Sequence, residues 1–224
     1  IIGQVYIGGR ALRQSAVSFN VKDLGFEGVV AQPDEHNGSM PGVVICHPHP
    51  LYGGNMDNNV VLTLSFALAQ EGFVTLRFNF RGVGNSDGEH TKGELEEQEV
   101  LGALEFLRAW PGVDARRLGL AGYSFGSGVV LNNPELHKNA RAFALISPSL
   151  TNLEATELKN QDQPAFIIVG DQDKAFQSEE YIPALDAFPH PPGRVVVAGA
   201  DHFWYGFEDQ LAPPVVSDVA EALK

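Results

Sequence analysis

Leu118-Gly-Leu-Ala-Gly-Tyr-Ser-Phe-Gly-Ser-Gly128 combines a short apolar strand, a sharp turn and the start of a helix. Within it, Gly122, Ser124 and Gly126 form the pattern G-x-S-x-G, which holds a serine on a strained turn between strand and helix. Side chains at the two glycines would collide with the neighbouring strand and helix. Ser124 would lie at a helix N-terminus, where free N–H groups and the helix dipole favour a reacting oxyanion. The alternative is a purely structural tight turn.

The composition indicates a globular chain and limits its partners. With 224 residues, the chain is long enough for one to two domains, and we predict a single α/β domain over residues 15–224. Residues 1–14 are left as an N-terminal extension of unknown role. Fifteen basic and 28 acidic residues give a net charge of −13, which repels phosphate backbones and anionic membranes. We therefore predict no nucleic-acid partner and no membrane partner.

The single cysteine, Cys46, excludes an internal disulfide framework and favours a reducing compartment, so we expect a cytoplasmic protein. No apolar run approaches the roughly 20 residues that a membrane span needs. Because the chain begins with Ile1, a removed signal peptide remains an alternative. No motif for a cofactor is present, and we predict none.

Apolar runs alternate with helical patterns along the whole chain, which is typical of βαβ units. This arrangement predicts a mainly parallel sheet with helices on both faces. An antiparallel pair of strands should precede it. The predicted strands are Val17–Val21, Phe26–Ala31, Val43–Cys46, Phe73–Phe78, Leu118–Ala121, Ala142–Ile146, Ala165–Val169 and Arg194–Val197. The predicted helices are Asn58–Glu71, a segment from the capping box Thr91-x-x-Glu94 to Trp110, one after the G-x-S-x-G turn, Ser178–Phe188 and Val215–Leu223.

Three side chains that could form a catalytic triad follow the ends of separate predicted strands. A serine hydroxyl needs a base at neutral pH, and the base needs an acid to orient it. After Ser124, the next candidates are Asp173 in Gly-Asp-Gln-Asp and His202 in Gly-Ala-Asp-His. Because parallel strands end at one edge of a sheet, these residues should meet there. Asp171 and Asp201 are the competing carboxylates; we expect Asp171 to cap backbone N–H groups and Asp201 to point away from the imidazole.

Two backbone N–H donors are also needed for the tetrahedral oxyanion. One should come from Phe125, which follows the serine, and the other from the loop His47-Pro-His-Pro50. Proline has no N–H, so His49 or Leu51 must donate, and we favour His49. In addition, we assign Leu51, Tyr52, Phe203 and Trp204 to the substrate pocket.

Taken together, these motifs resemble the α/β-hydrolase superfamily, in particular its small, lidless, dienelactone-hydrolase-like and esterase-like bacterial members. The shared features are His-Pro-His-Pro-x-x-Gly-Gly at 47–54, Arg-Gly-x-Gly-x-Ser-x-Gly at 81–88, the G-x-S-x-G turn, Gly-x-x-Asp at 170–173 and the final histidine. The resemblance implies an α/β-hydrolase fold without a cap domain, and it selects Asp173 as the acid. Dienelactone hydrolases proper carry cysteine where this chain has Ser124, which favours ordinary ester hydrolysis.

Other interpretations of these residues have weaker support. His47 and His49 could bind a metal ion only with further ligands, such as His36 or Asp57, and no suitable spacing is evident. We predict no metal site. The leading hypothesis is a serine carboxylesterase that acts on small esters with short acyl chains. The alternatives are a thioesterase, a small-amide hydrolase, or a catalytically silent binding scaffold.

Overall fold

The computed structural model of the chain describes residues 3–7, 10–35, 38–188 and 192–223. Its centre is a sheet of nine strands in the order β1-β2-β3-β5-β4-β6-β7-β8-β9. The strands up to the β3–β5 pair run antiparallel, whereas those from β5 through β4 to β9 run parallel. The strands are β1 (Gly3–Ile7), β2 (Arg10–Val21), β3 (Leu24–Pro33), β4 (Met40–Cys46), β5 (Val74–Phe78), β6 (Val113–Tyr123), β7 (Ala142–Ile146), β8 (Ala165–Gly170) and β9 (Gly193–Val197).

Helices cover both faces of the sheet, as the alternating pattern predicts. They are α1 (Asn59–Gln70), α2 (Glu97–Arg108), α3 (Phe125–Asn132), α4 (Pro134–Asn139), α5 (Leu150–Ala155), α6 (Tyr181–Asp186) and α7 (Glu208–Ala222). None of the helices in the described ranges is long and apolar enough to cross a membrane.

Successive residues of the central strands point to opposite faces, so each strand contributes to two cores. On β4, Val43 and Ile45 pack with α1 and α7, whereas Val44 and Cys46 pack with the helices from α2 to α6. Because both faces are buried, these strands are almost continuously apolar. The carboxyl ends of the parallel strands remain at one edge, and the loops that leave this edge carry the candidate site.

Residues 3–7 and 10–14 are part of the sheet, whereas the sequence predicted a separate extension before residue 15. Residues 3–7 form β1, and residues 10–14 are the first part of β2, which pairs with β3 from Leu12 to Val21. Leu12 is buried against Ala31 and Ala69. The prediction of strand only from residue 17 missed this because the anchor of Leu12 is a contact with distant residues rather than a local pattern.

Helices α2 and α7 begin furthest from their predicted starts. Helix α2 begins at Glu97 rather than near Thr91, because the hydroxyl and backbone N–H of Thr91 both donate to Glu96. Glu94 therefore forms no capping box with Thr91. Helix α7 begins at Glu208, before Pro213 and Pro214, although prolines disfavour a helix interior. Burial of Leu211 and the following turns in the α1–α7 core outweighs that preference.

Candidate active site

Ser124 lies on a strained turn between β6 and α3, as the G-x-S-x-G pattern predicts. Its backbone has φ 53° and ψ −109°, and its side chain is partly exposed. A Cβ atom on Gly126 would lie 2.4 Å from the carbonyl oxygen of Cys46, and one on Gly122 would lie 2.6 Å from the carbonyl carbon of Gly126. Side chains are therefore excluded at both glycines by backbone atoms that cannot move aside.

The three triad candidates form one continuous chain of hydrogen bonds. Ser124 Oγ lies 2.8 Å from His202 Nε2, and His202 Nδ1 lies 2.7 Å from Asp173 Oδ2. Asp173 follows β8 and His202 follows β9, so the parallel sheet brings residues from distant parts of the sequence to one edge. Asp173 is 2% exposed, whereas the imidazole is only partly buried. This is the geometry that activates a serine for nucleophilic attack.

The two competing carboxylates bind elsewhere. Asp171 Oδ1 accepts from the backbone N–H of Gly199 at 2.8 Å, and so the side chain fastens the loop after β9. Asp201 Oδ1 accepts from the N–H of Phe203 at 2.9 Å. Only Asp173 of these three is bonded to the imidazole. The geometry therefore supports the choice of acid that the resemblance implies.

Behind Asp173 lies a buried hydrogen-bond chain that sequence analysis did not detect. Trp204 Nε1 donates to Ser147 Oγ at 3.1 Å, and Ser147 is itself hydrogen-bonded to Asp173. Because an indole can only donate, Ser147 Oγ accepts from Trp204 and keeps its own proton free for the Asp173 carboxylate. Burial raises the pKa of Asp173, but the hydrogen bond and charge of His202, with smaller contributions that include Ser147, lower it overall. The carboxylate thus stays ionised.

This arrangement corrects the assignment of Trp204 to the substrate pocket. Trp204 is 0% exposed and packs in the core beneath the site. The other three residues assigned to the pocket are exposed: Leu51 by 69%, Tyr52 by 88% and Phe203 by 59%. The sequence shows three aromatic residues after His202 but not which of them points inward. Trp204 points inward, and its backbone adopts a left-handed φ of 63°.

We expect Ser147→Gly to lower kcat/KM for ester hydrolysis about tenfold, the worth of a hydrogen bond to a charged group. Ser147 has φ 47°, which glycine adopts without strain, but the substitution leaves the buried Trp204 N–H unpaired, so the free energy of unfolding should fall by about 1–3 kcal/mol. Esterase assays and thermal unfolding on the same samples measure both quantities. Lys22→Gly, which relieves a φ of 55° in the turn between β2 and β3, is the matched control and should leave activity unchanged. A kcat/KM per folded molecule equal to that of the wild type would contradict a role of Ser147 in positioning Asp173.

The backbone N–H groups predicted for the oxyanion are available. Phe125 is the first residue of α3, where an N–H has no partner within the helix. In the loop after β4, the Leu51 N–H donates to His49 Nδ1 at 3.2 Å. The His49 N–H has no partner in the described part of the chain, and its carbonyl accepts from Gly54 at 3.1 Å. The rings of His49 and Phe125 lie 5.0 Å apart, which places both residues on one side of the serine turn. These contacts favour His49 over Leu51 as the second donor.

His47 has a structural role in the same loop. Its Nδ1 lies 2.6 Å from the carbonyl oxygen of Pro48, and its Nε2 lies 3.1 Å from the backbone N of Phe80. A neutral ring satisfies both contacts, and burial lowers the pKa of His47 to about 4. With both nitrogens occupied, His47 cannot bind a metal ion in this state. Asp57 pairs with Arg77, His36 lies outside the described residues, and no metal-binding cluster is found within the described ranges.

The turn at 81–88 is held to helix α2 by a buried ion pair. The buried guanidinium of Arg81 donates twice to Glu99 of α2, through Nε at 2.9 Å and Nη2 at 2.6 Å. Gly84 has φ 58°, and a Cβ there would lie 2.1 Å from Glu27 Oε1. The motif therefore has a structural role in this turn. Sequence analysis noted the arginine but had no signal for its partner 18 positions away.

Comparison with known proteins agrees with this architecture. The model of the dienelactone hydrolase family matches residues 26–190. The chain belongs to this family. The match includes the serine turn and the acid and ends before the histidine. This chain is therefore a hydrolase.

Individual relatives extend the similarity to nearly the whole chain. An uncharacterized protein of Rickettsia prowazekii is 30% identical over 200 residues, which cover 84% of this chain and 81% of that protein. Among solved structures, an α/β serine hydrolase homologue from Coxiella burnetii is 29% identical with a TM-score of 0.76, covering 91% of this chain and 96% of the other. An α/β serine hydrolase without a lid from Xanthomonas campestris is 26% identical with a TM-score of 0.77, covering 94% and 95%. This chain thus has the α/β-hydrolase fold without a cap domain.

Proposed function

We propose that this hydrolase cleaves carboxylic esters through an acyl-enzyme intermediate on Ser124. The observation that carries the proposal is the unbroken hydrogen-bond chain from Ser124 through His202 to Asp173. Ser124 is partly exposed, so a substrate can reach it, and the free N–H groups beside it can stabilise the oxyanion. A site that served only to bind a ligand would have no need of this complete set.

In the first half of the reaction, Ser124 Oγ bonds to the ester carbonyl carbon while His202 Nε2 takes the hydroxyl proton. The carbonyl π electrons move to oxygen, which the N–H groups of His49 and Phe125 stabilise. The oxyanion then collapses, the bond to the alcohol oxygen breaks, and His202 returns the proton to that oxygen. In the second half, water loses its proton to His202 and attacks the acyl carbon. The bond from that carbon to Ser124 Oγ then breaks, Oγ takes the proton back from His202, and the acid leaves. Asp173 stabilises the imidazolium in both halves.

One alternative function uses the same catalytic residues, and another does not use them. A thioesterase or small-amide hydrolase would share every step and differ only in the atom that leaves. A silent scaffold would use the cleft for binding alone.

We further propose that the partner is a small-molecule ester, that neither nucleic acid nor membrane is bound, and that the protein works in the cytoplasm. The strongly acidic composition and the buried, unpaired thiol of Cys46 support these points.

A fluorophosphonate probe tests the nucleophile directly. Because the probe reacts only with an activated serine, the wild-type protein should be labelled and Ser124→Ala should not. Gel fluorescence after brief labelling measures both, with Ser149→Ala as the control serine variant. Absence of label on folded wild-type protein would contradict the esterase proposal and favour the binding scaffold.

We also propose a preference for short acyl chains. Between β7 and β8 the chain forms only α5 and a short turn at Leu158–Asn160, so no cap encloses a long acyl chain. With p-nitrophenyl esters from acetyl to palmitoyl, kcat/KM should be highest for the short chains. Initial rates below the solubility limit of each ester make the comparison. A maximum at palmitoyl would show that the open-site argument is wrong.

A further inference from the structure

We propose that Phe203 and Tyr205 form a surface for the leaving group of the substrate, and that this hydrolase prefers esters whose alcohol carries an aromatic ring. The inference rests on the proposed function, because a leaving group exists only if the ester is cleaved at Ser124. It adds the substrate class, to which the triad itself is indifferent.

The exposed apolar side chains of the described residues are concentrated at the site. Six large apolar side chains are exposed among the described residues, and four of them lie on the two loops that border the Ser124–His202 pair. Leu51 and Tyr52 lie on the loop after β4, and Phe203 and Tyr205 follow His202. A cluster of exposed apolar groups beside a reactive pair marks a binding surface.

The rings of Phe203 and Tyr205 form the part of this surface nearest the base. They lie 6.5 Å apart with an interplanar angle of 14°, and the Phe203 ring meets the His202 imidazole edge-on at 5.9 Å. Tyr205 is 72% exposed, so the pair faces solvent rather than the core. Tyr52, in contrast, packs against His49 at 4.9 Å on the oxyanion side.

The backbone that carries the two rings is held in place before any substrate binds. Trp204 anchors the segment in the core between them. The Phe203 carbonyl accepts from Asn59 Nδ2 at 3.1 Å, and the Gly206 N–H donates to Glu208 at 2.8 Å. A surface fixed in this way loses little conformational freedom when a flat group binds.

The position of His202 decides which part of the ester meets these rings. The same Nε2 that takes the proton of Ser124 must return it to the leaving oxygen, so that oxygen and its substituent lie beside the imidazole. The exposed side chains next to the imidazole are Phe203 and, stacked on it, Tyr205, whereas Tyr123, 5.8 Å from the imidazole, is buried. Paired aromatic faces favour a flat aromatic ring over an aliphatic ring of similar size.

Benzyl acetate and cyclohexylmethyl acetate provide the matched test. Both are acetates of primary alcohols, so they form the same acetyl-enzyme and differ only in the ring of the alcohol. We expect kcat/KM to be about fivefold to tenfold higher for benzyl acetate, as one or two aromatic contacts would give. Phe203→Leu and Tyr205→Leu keep an apolar side chain and should each reduce this ratio toward one. Tyr52→Leu, on the opposite side of the site, should leave the ratio unchanged.

The outcomes separate this inference from the proposed function. Hydrolysis of both esters with a ratio near one, or a ratio that survives both Leu substitutions, overturns the inference and leaves the esterase intact. A ratio lost only in Tyr52→Leu also overturns it, because the ring would then lie on the oxyanion side. If the same Leu substitutions turn a dimer into a monomer in sedimentation while the ratio stays constant, the surface joins two copies and the assignment is wrong. Failure of both hydrolysis and Ser124 labelling contradicts the proposed function itself, and this inference with it.

Discussion

Asp173→Asn is expected to lower kcat for ester hydrolysis by about 10⁴, the loss that this change causes in serine proteases. The amide keeps the shape of the carboxylate, and its oxygen can still accept the N–H of Ala175, which Asp173 Oδ1 accepts at 3.0 Å. Its NH₂ group, however, would face His202 Nδ1 and force that nitrogen to accept. The proton of the neutral imidazole would then sit on Nε2, which could no longer take the proton of Ser124.

Two nearby carboxylates provide the controls. Asp171→Asn and Asp201→Asn should retain most of the activity, because these side chains bind the backbone N–H groups of Gly199 and Phe203. Thermal unfolding of all three variants separates catalysis from folding, and some loss of stability is expected for Asp171→Asn. An inactive Asp171→Asn beside an active Asp173→Asn would show that the acid is wrongly assigned.

The second large effect is expected at a backbone atom. His49→Pro removes one N–H from the oxyanion site and should lower kcat by about 10²–10³, the loss measured when one oxyanion donor is removed from subtilisin. His49 has φ −57°, close to the angle that the proline ring imposes, so its own backbone can accept the substitution. The carbonyl of residue 49 remains free to accept from Gly54. Steady-state kinetics with p-nitrophenyl acetate measure the change.

His49→Ala is the matched control because it deletes the imidazole but keeps the N–H. It removes the acceptor of the Leu51 N–H and the ring contact with Phe125, and a modest effect is therefore expected. If alanine and proline reduce kcat equally, the imidazole rather than the amide contributes to catalysis. If His49→Pro retains full activity with an unchanged melting temperature, the second oxyanion donor lies elsewhere.

The serine turn could be predicted from sequence because its determinants are local. Gly122 and Gly126 are within two positions of Ser124, and the collisions that exclude their side chains recur wherever a strand turns directly into a helix. The convergence of the three triad candidates could be predicted almost as well, although they are far apart in the chain. Parallel strands end at one edge of a sheet, so a residue just after β8 and one after β9 must lie near the residue after β6.

What only the tertiary structure decided depends on contacts between distant residues. The sequence determined that aromatic side chains follow His202, but the left-handed backbone of Trp204 and its bond to Ser147, 57 positions away, decided which one supports Asp173. In the same way, burial of Leu12 against Ala31 and Ala69 placed the N-terminal residues in the sheet. Local steric rules and strand order are written in short stretches of sequence, whereas the direction of one side chain follows from the packing free energy of all the residues around it.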